Sequence, residues 1–319
     1  MSVCSALAKA PTTAKIVFAS RRDGNREIYI MNPDGTQQVN LTRHKADDVS
    51  PVFSPTGEQI LFASSRDRPQ VPWSWDLYLM DADGKNVRRV FEKSENRIHP
   101  VWSPDGKQIA YHRFDGGVGY LYIATSDGKD EERVAIGGSP TWAPDGTEIA
   151  YISEVSDRPR RMRLINVQTK KQTFLPFPKK PTWVRSPAWS PSEDKLAFSW
   201  LNRVELRRED FQRETIYVVN RDGTGLQQII DEAGPAAHEP AWSPAGDELL
   251  YIQADDVDAP LPIRLHIFKV ALNGGQPVQL THVGAGHHLG SWFDPTYALP
   301  VLSQPELLTA TWAKVKTQD

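Results

Sequence analysis

Four of the eight histidines, His99, His238, His287 and His288, stand three to five residues before a tryptophan. Imidazole ligates borderline divalent metals and pairs with carboxylates, so four of them at one place in a pattern point to a metal or anion site. Asp48, Glu239, Arg97 and Arg185 likewise stand three to five residues before Phe53, Trp242, Trp102 and Trp189. Carboxylates would complete a metal site, whereas arginines repel a metal ion and attract a carboxylate. These eight residues form the candidate ligand-binding set. Their mixed sign favours a recognition rim for a peptide, a protein loop or a small polar ligand. No H-x-H or H-x-x-x-H pair fixes a metal geometry, so no cofactor is called for, and a divalent metal is the one that the histidines would accommodate. Solvated loop residues would show the same composition. A G-x-S-x-G elbow is missing and the single cysteine, Cys4, lies near the terminus, so no residue is assigned a catalytic role. Non-enzymatic binding is the leading reading. The alternatives are a metal-assisted lyase or lactonase with a histidine rim, and a structural module of a larger assembly.

The elements that must position this set repeat along the chain. An aromatic, small residue, proline unit recurs as Phe53-Ser54-Pro55, Trp102-Ser103-Pro104, Trp142-Ala143-Pro144, Trp189-Ser190-Pro191 and Trp242-Ser243-Pro244, with a degenerate copy at Trp292–Pro295. The spacing of 40 to 53 residues is that of a propeller blade rather than of a short helical repeat. Pro51, Pro100, Pro140, Pro187 and Pro240 precede the aromatic by two and predict the start of a first strand, because proline lacks the amide donor that a strand interior needs. Turns such as Pro104-Asp105-Gly106 then lead into short apolar second strands, Gln59–Phe62, Gln108–Tyr111, Glu148–Tyr151, Lys195–Phe198 and Glu248–Tyr251. Alternating third strands follow, as in Glu27–Met31 and Asp76–Met80, and end in Asp-Gly hairpin turns at residues 34, 83, 127 and 222. Polar segments such as Gln38–Leu41 and Val87–Val90 suit an outer edge.

The chain opens with the second, third and fourth strands of a unit and closes with an orphan first strand around Gly290–Phe293. Pairing the two ends makes one whole blade. The expected fold is therefore an all-β, six-bladed β-propeller with four-stranded blades, its ring closed by N-terminal strands two to four plus a C-terminal first strand. Residues 1–13 are expected to be a flexible N-terminus or signal remnant, 14–295 the propeller and 296–319 a tail. First strands are innermost in this fold, so the candidate set would rim one mouth of the central channel.

The W-S-P-D-G, I-A-Y and I-Y-x-M-x-x-D-G pattern resembles the TolB-like propeller family over roughly residues 14–295. The resemblance implies a scaffold that binds a protein or small ligand at one mouth of its channel, in the periplasm or outside the cell. About 14 residues precede the first strand, where TolB carries an α/β domain.

Composition agrees with this class. With 319 residues and a net charge of −3, the chain is not expected to bind nucleic acid, and the arginine-rich Leu201–Arg213 reads as a solvated loop. No apolar stretch approaches the ~20 residues of a membrane span. Ala6, Ala8 and Ala10 are spaced as at a signal-peptidase site. A monomer is expected. Trp102, Trp142, Trp189 and Trp242 should pack between blades, while Trp73 and Trp75 lie in a proline-rich insertion and would either face a partner or tuck against their own blade. Leu308, Trp312 and Val315 share one face of a possible tail helix.

Overall fold

The computed structural model describes residues 9–68, 70–71, 73–153, 160–177, 183–201, 214–254, 264–283 and 287–300. Cys4, Ala6 and Ala8, residues 202–213, and the tail positions Leu308, Trp312 and Val315 lie outside the described residues.

Among the described residues, twenty-four strands form six four-stranded antiparallel sheets. The first blade contains β1 (Lys15–Ser20), β2 (Glu27–Met31) and β3 (Val39–Asn40); the second, β4 (Asp48–Phe53), β5 (Gln59–Ser64), β6 (Asp76–Asp81) and β7 (Arg88–Arg89). The third holds β8 (Arg97–Trp102), β9 (Gln108–Asp115), β10 (Val118–Thr125) and β11 (Glu132–Ile136); the fourth, β12 (Gly138–Trp142), β13 (Glu148–Ser153), β14 (Arg161–Asn166) and β15 (Gln172–Phe174). The fifth has β16 (Trp183–Trp189), β17 (Lys195–Leu201), β18 (Thr215–Asn220) and β19 (Gln227–Gln228); the sixth, β20 (Ala237–Trp242), β21 (Glu248–Ala254), β22 (Leu265–Ala271) and β23 (Val278–Gln279). The last strand, β24 (His288–Phe293), pairs with β1, so the first blade reads β24-β1-β2-β3. The only helical turn among the described residues is 3-10, at Pro295–Tyr297, and no described helix is long and apolar enough to cross a membrane.

Each blade interface is a separate apolar core, because a four-stranded sheet has two faces and each meets a neighbour. The second and third strands supply most of it. Phe53 lies between the first two blades with Ile28, Phe62 and Phe293. Trp102 packs against the core between the second and third blades, and Trp142, Trp189 and Trp242 fill the following equivalent places among residues of adjacent blades, as the repeat predicts. Between the sixth and first blades, Leu250 and Ile267 meet Phe18 and Met31, with Trp292 packed alongside. This contact joins the two ends of the chain. The outermost strands β3, β7, β19 and β23 are only two residues long, which leaves little open edge.

The prolines expected to start the first strands lie inside them. Pro51 is the fourth residue of β4, and the pairing of β4 with β5 shifts register between Val49 and Val52. The same shift occurs in β8, β12, β16 and β20. Each is a bulge on the innermost strand, which has a ladder on one side only and so tolerates a residue without an amide hydrogen.

Where the other blades carry this proline, the closing strand carries Gly290. A Cβ there would stand 2.3 Å from the Pro51 carbonyl oxygen and 2.6 Å from that of Val17. Backbone oxygens of two neighbouring strands cannot yield as a side chain would. Gly290→Ala is therefore expected to destabilise the fold by about 2 kcal/mol, within the usual range for overpacking. Urea denaturation measures it, and an unchanged midpoint would show that the seam between β24 and β4 is looser than this.

Candidate functional site

The bulges determine what faces the channel. Ser50, His99, Ser139, Ser186 and Glu239 each precede a bulge proline and have left-handed backbones, with φ of 53°, 52°, 50°, 48° and 55°. Such a conformation costs a residue with a Cβ about 1 kcal/mol, and the bulge that imposes it re-aims the side chain. All five line a single cavity of about 550 Å³ to which every blade contributes. The sixth equivalent position, Leu289, lines it too.

One side of the cavity is charged. Arg185 is held by Glu214, a buried acid just before β18, through Nε to Oε1 at 3.0 Å and through Nη2 to Oε2. Glu239 Oε1 lies 3.1 Å from His288 Nδ1, and its Oε2 accepts the Leu289 amide at 3.1 Å. Loss of hydration opposes ionisation of Glu239, but His288, the hydrogen bonds and His238 outweigh it and hold the carboxyl down to about 2. The same attraction from Glu239 raises the His288 pKa against its own desolvation. Below that raised value His288 is cationic and cancels Glu239; above it the carboxylate stands uncancelled. Arg26 and Arg160 add further positive charge to the wall.

The opposite side is aromatic. Trp73 and Trp75 meet edge to face at 5.8 Å, and His112 packs between His99, at 6.4 Å, and Phe114, at 4.2 Å. Desolvation pushes His112 down to about 3 and lowers His99 too, so both rings are neutral at physiological pH and behave as flat, weakly polar surfaces.

Of the candidate set, His99, Arg185, Glu239 and His288 come together here. His238 stands close enough to feel Glu239, Glu214, Arg185 and His288, but it is not part of the cavity wall, and burial lowers its pKa. Arg97, Asp48 and His287 are not on the rim. Asp48 and Arg97 begin their inner strands and His287 directly precedes its own, each two residues before the bulged position, and their side chains turn into the protein. Arg97 is 2% exposed and bonds Asp76 and Glu131, and Asp48 is fully buried against Arg66. His287 is fully buried with its edge to Phe18 and its Nε2 3.0 Å from the Val283 carbonyl oxygen. Sequence reasoning missed His112, Phe114, Arg26 and Arg160. His112 had a signal: it follows the aromatic of the second strand where the other blades carry Ala19, Ala63, Ile152, Ser199 and Ile252. Among the described residues no three His, Cys, Asp or Glu side chains are grouped to hold a metal.

A closed ring of six four-stranded blades around a cavity lined by inner-strand bulges defines a six-bladed β-propeller. The model of the TolB beta propeller domain matches residues 121–299, more than half the chain, and the protein belongs to that family. Its fold is similar to the structure of a putative TolB from Agrobacterium tumefaciens, with 18% identity over 88% of this chain and 94% of that one and a TM-score of 0.66. TolB from Acinetobacter baumannii is similar at 14% identity over 88% and 66%, with a TM-score of 0.71. An oligogalacturonate lyase in complex with manganese shares the fold at a TM-score of 0.52, with 17% identity over 86% and 74%. In sequence, the Tol-Pal system protein TolB of Geobacter sulfurreducens is 40% identical over 52 residues, which is 16% of this chain and 12% of that protein.

Proposed function

We propose that the protein is a non-enzymatic binding propeller that receives a peptide, a protein loop or a small polar ligand in its channel, outside the cytoplasm. The observation that carries this reading is the convergence of five strained inner-strand residues and an aromatic wall on one cavity. Strained backbone at a cavity is kept where the surrounding structure has a use for it. A volume of about 550 Å³ with few, fixed polar groups suits recognition. Similarity to proteins named for the Tol-Pal system supports a protein partner.

The test is a selection of random heptapeptides displayed on phage against the full chain, followed by counter-screening on His99→Ala/Trp73→Ala. Both side chains are exposed at the cavity, so the double variant should keep its melting temperature. Selected peptides are expected to bind it about tenfold more weakly or worse, as for loss of an aromatic anchor. Equal binding to parent and variant would refute the channel as the recognition surface. Stoichiometric divalent metal in the purified protein, lost in His99→Ala/His288→Ala, would favour the metal-assisted lyase instead.

A further inference from the structure

Trp73 is 72% exposed, and its φ of 59° is a left-handed conformation that a bulky residue rarely adopts. It is braced there. Asn96 donates from Nδ2 to the Trp73 carbonyl at 3.1 Å and accepts the Trp75 amide on Oδ1 at 3.2 Å. The Trp75 carbonyl in turn accepts the Arg97 amide at 2.8 Å. The main chain at Trp73 is thus fixed and its indole meets Trp75 edge to face at 5.8 Å, which presents an aromatic shelf with part of its ordering cost already met.

Trp73 belongs to the second blade and Arg185 to the fifth, so they face each other across the axis of a six-bladed ring. Glu214 engages the Nε and Nη2 edge of the Arg185 fork, which leaves Nη1 on the other edge for a further acceptor. Among the described residues of the cavity wall the one carboxylate is Glu239, with one oxygen held by His288 and the other by the Leu289 amide. Among the described residues the wall therefore offers the free donor edge of Arg185 and no carboxylate without a partner.

Resting on the channel-binding reading above, we infer that the occupant carries both a carboxylate and a planar apolar ring, the ring on Trp73 and the carboxylate on Arg185. A chain end with an aromatic last residue and a small free aromatic acid share this chemistry.

The indole N–H resonances of the isotope-labelled full chain report binding of N-acetyl-L-tryptophan, its neutral amide, tryptamine, and the tetrapeptide Ser-Gly-Ser-Trp with a free carboxyl end. The acid is expected to shift the Trp73 and Trp75 resonances and to bind about tenfold more tightly than the amide, the worth of one charge-assisted bond. Arg185→Gln should erase that preference and leave amide binding unchanged. The preference is read on the unsubstituted protein, so it stands even if the variant folds poorly. A tetrapeptide tighter than the acid assigns the chain end; equal affinity assigns the free acid. Equal or tighter binding of the amide or tryptamine would overturn the inference while leaving the channel as a binding site. Shifts from none of the four would overturn both.

Discussion

A chain lacking residues 1–42 is expected to show no cooperative unfolding transition in urea and no near-ultraviolet signal from fixed aromatic packing. The deletion removes β1, β2 and β3, and with them the only ladder partner of β24 among the described residues. It also strips two blade interfaces at once. Ile16, Phe18, Tyr29 and Met31 leave the core shared with the sixth blade, and Val17 and Ile28 leave the core shared with the second. Fully burying a large apolar side chain is worth about 1.5–3 kcal/mol. Six such losses amount to about 10 kcal/mol, comparable with the whole stability of a domain, about 5–15 kcal/mol. An open repeat array would survive loss of a terminal unit, because each repeat leans only on its neighbours. A truncated protein that melts cooperatively at the parental temperature would show that the ring does not depend on its closing blade.

Replacing Arg97 by alanine is expected to cost about 3–5 kcal/mol at neutral pH, the usual penalty for stranding one member of a buried ion pair. Its Nη1 bonds Asp76 Oδ1 at 2.9 Å and the Lys93 carbonyl at 3.1 Å, its Nε bonds Glu131 Oε1 at 3.0 Å, and its guanidinium covers the Phe91 ring at 3.8 Å. Asp76 is 2% exposed. Burial already raises its pKa, with Arg97 the chief opposing influence, so the substitution should raise it further. The folded variant then binds a proton that the unfolded chain releases. Its stability should fall as pH rises through the raised Asp76 value and recover toward the acid side, so the deficit against the parent is smaller at mildly acidic pH than at neutrality. Adding Asp76→Asn to Arg97→Ala removes the stranded charge and should recover part of the loss. Urea midpoints for the parent, the single and the double variant at both pH values decide it. A loss under about 1 kcal/mol would mean that Arg97 is solvated, as a surface pair would be.

The ring was legible in the sequence because its determinants are local and repeated. Proline two residues before an aromatic, the Asp-Gly turns and the short apolar second strands each act over a few residues, and recurrence lets one copy correct another. Trp142, Trp189 and Trp242 lie between blades as that repetition implies. Three strands of a blade at one end of the chain and one at the other were enough to count six. The site was legible only as a place along the inner strands. His99, Arg185, Glu239 and His288 reach the cavity, whereas Arg97, Asp48 and His287, one or two residues earlier, do not. A strand turns successive side chains to opposite faces, and the bulge before each proline resets that alternation, so a window of three to five residues mixes inward and outward positions. Nothing local reports that Asn96 braces Trp73, that Glu214 orients Arg185, or that His112 stacks beside His99. The sequence by itself determined the blades, their number and which strands are innermost, since backbone geometry and turn chemistry are short-range. Only the tertiary structure decided which side chains meet in the channel and with what charge, because that depends on contacts between blades far apart in the chain and on the burial those contacts create.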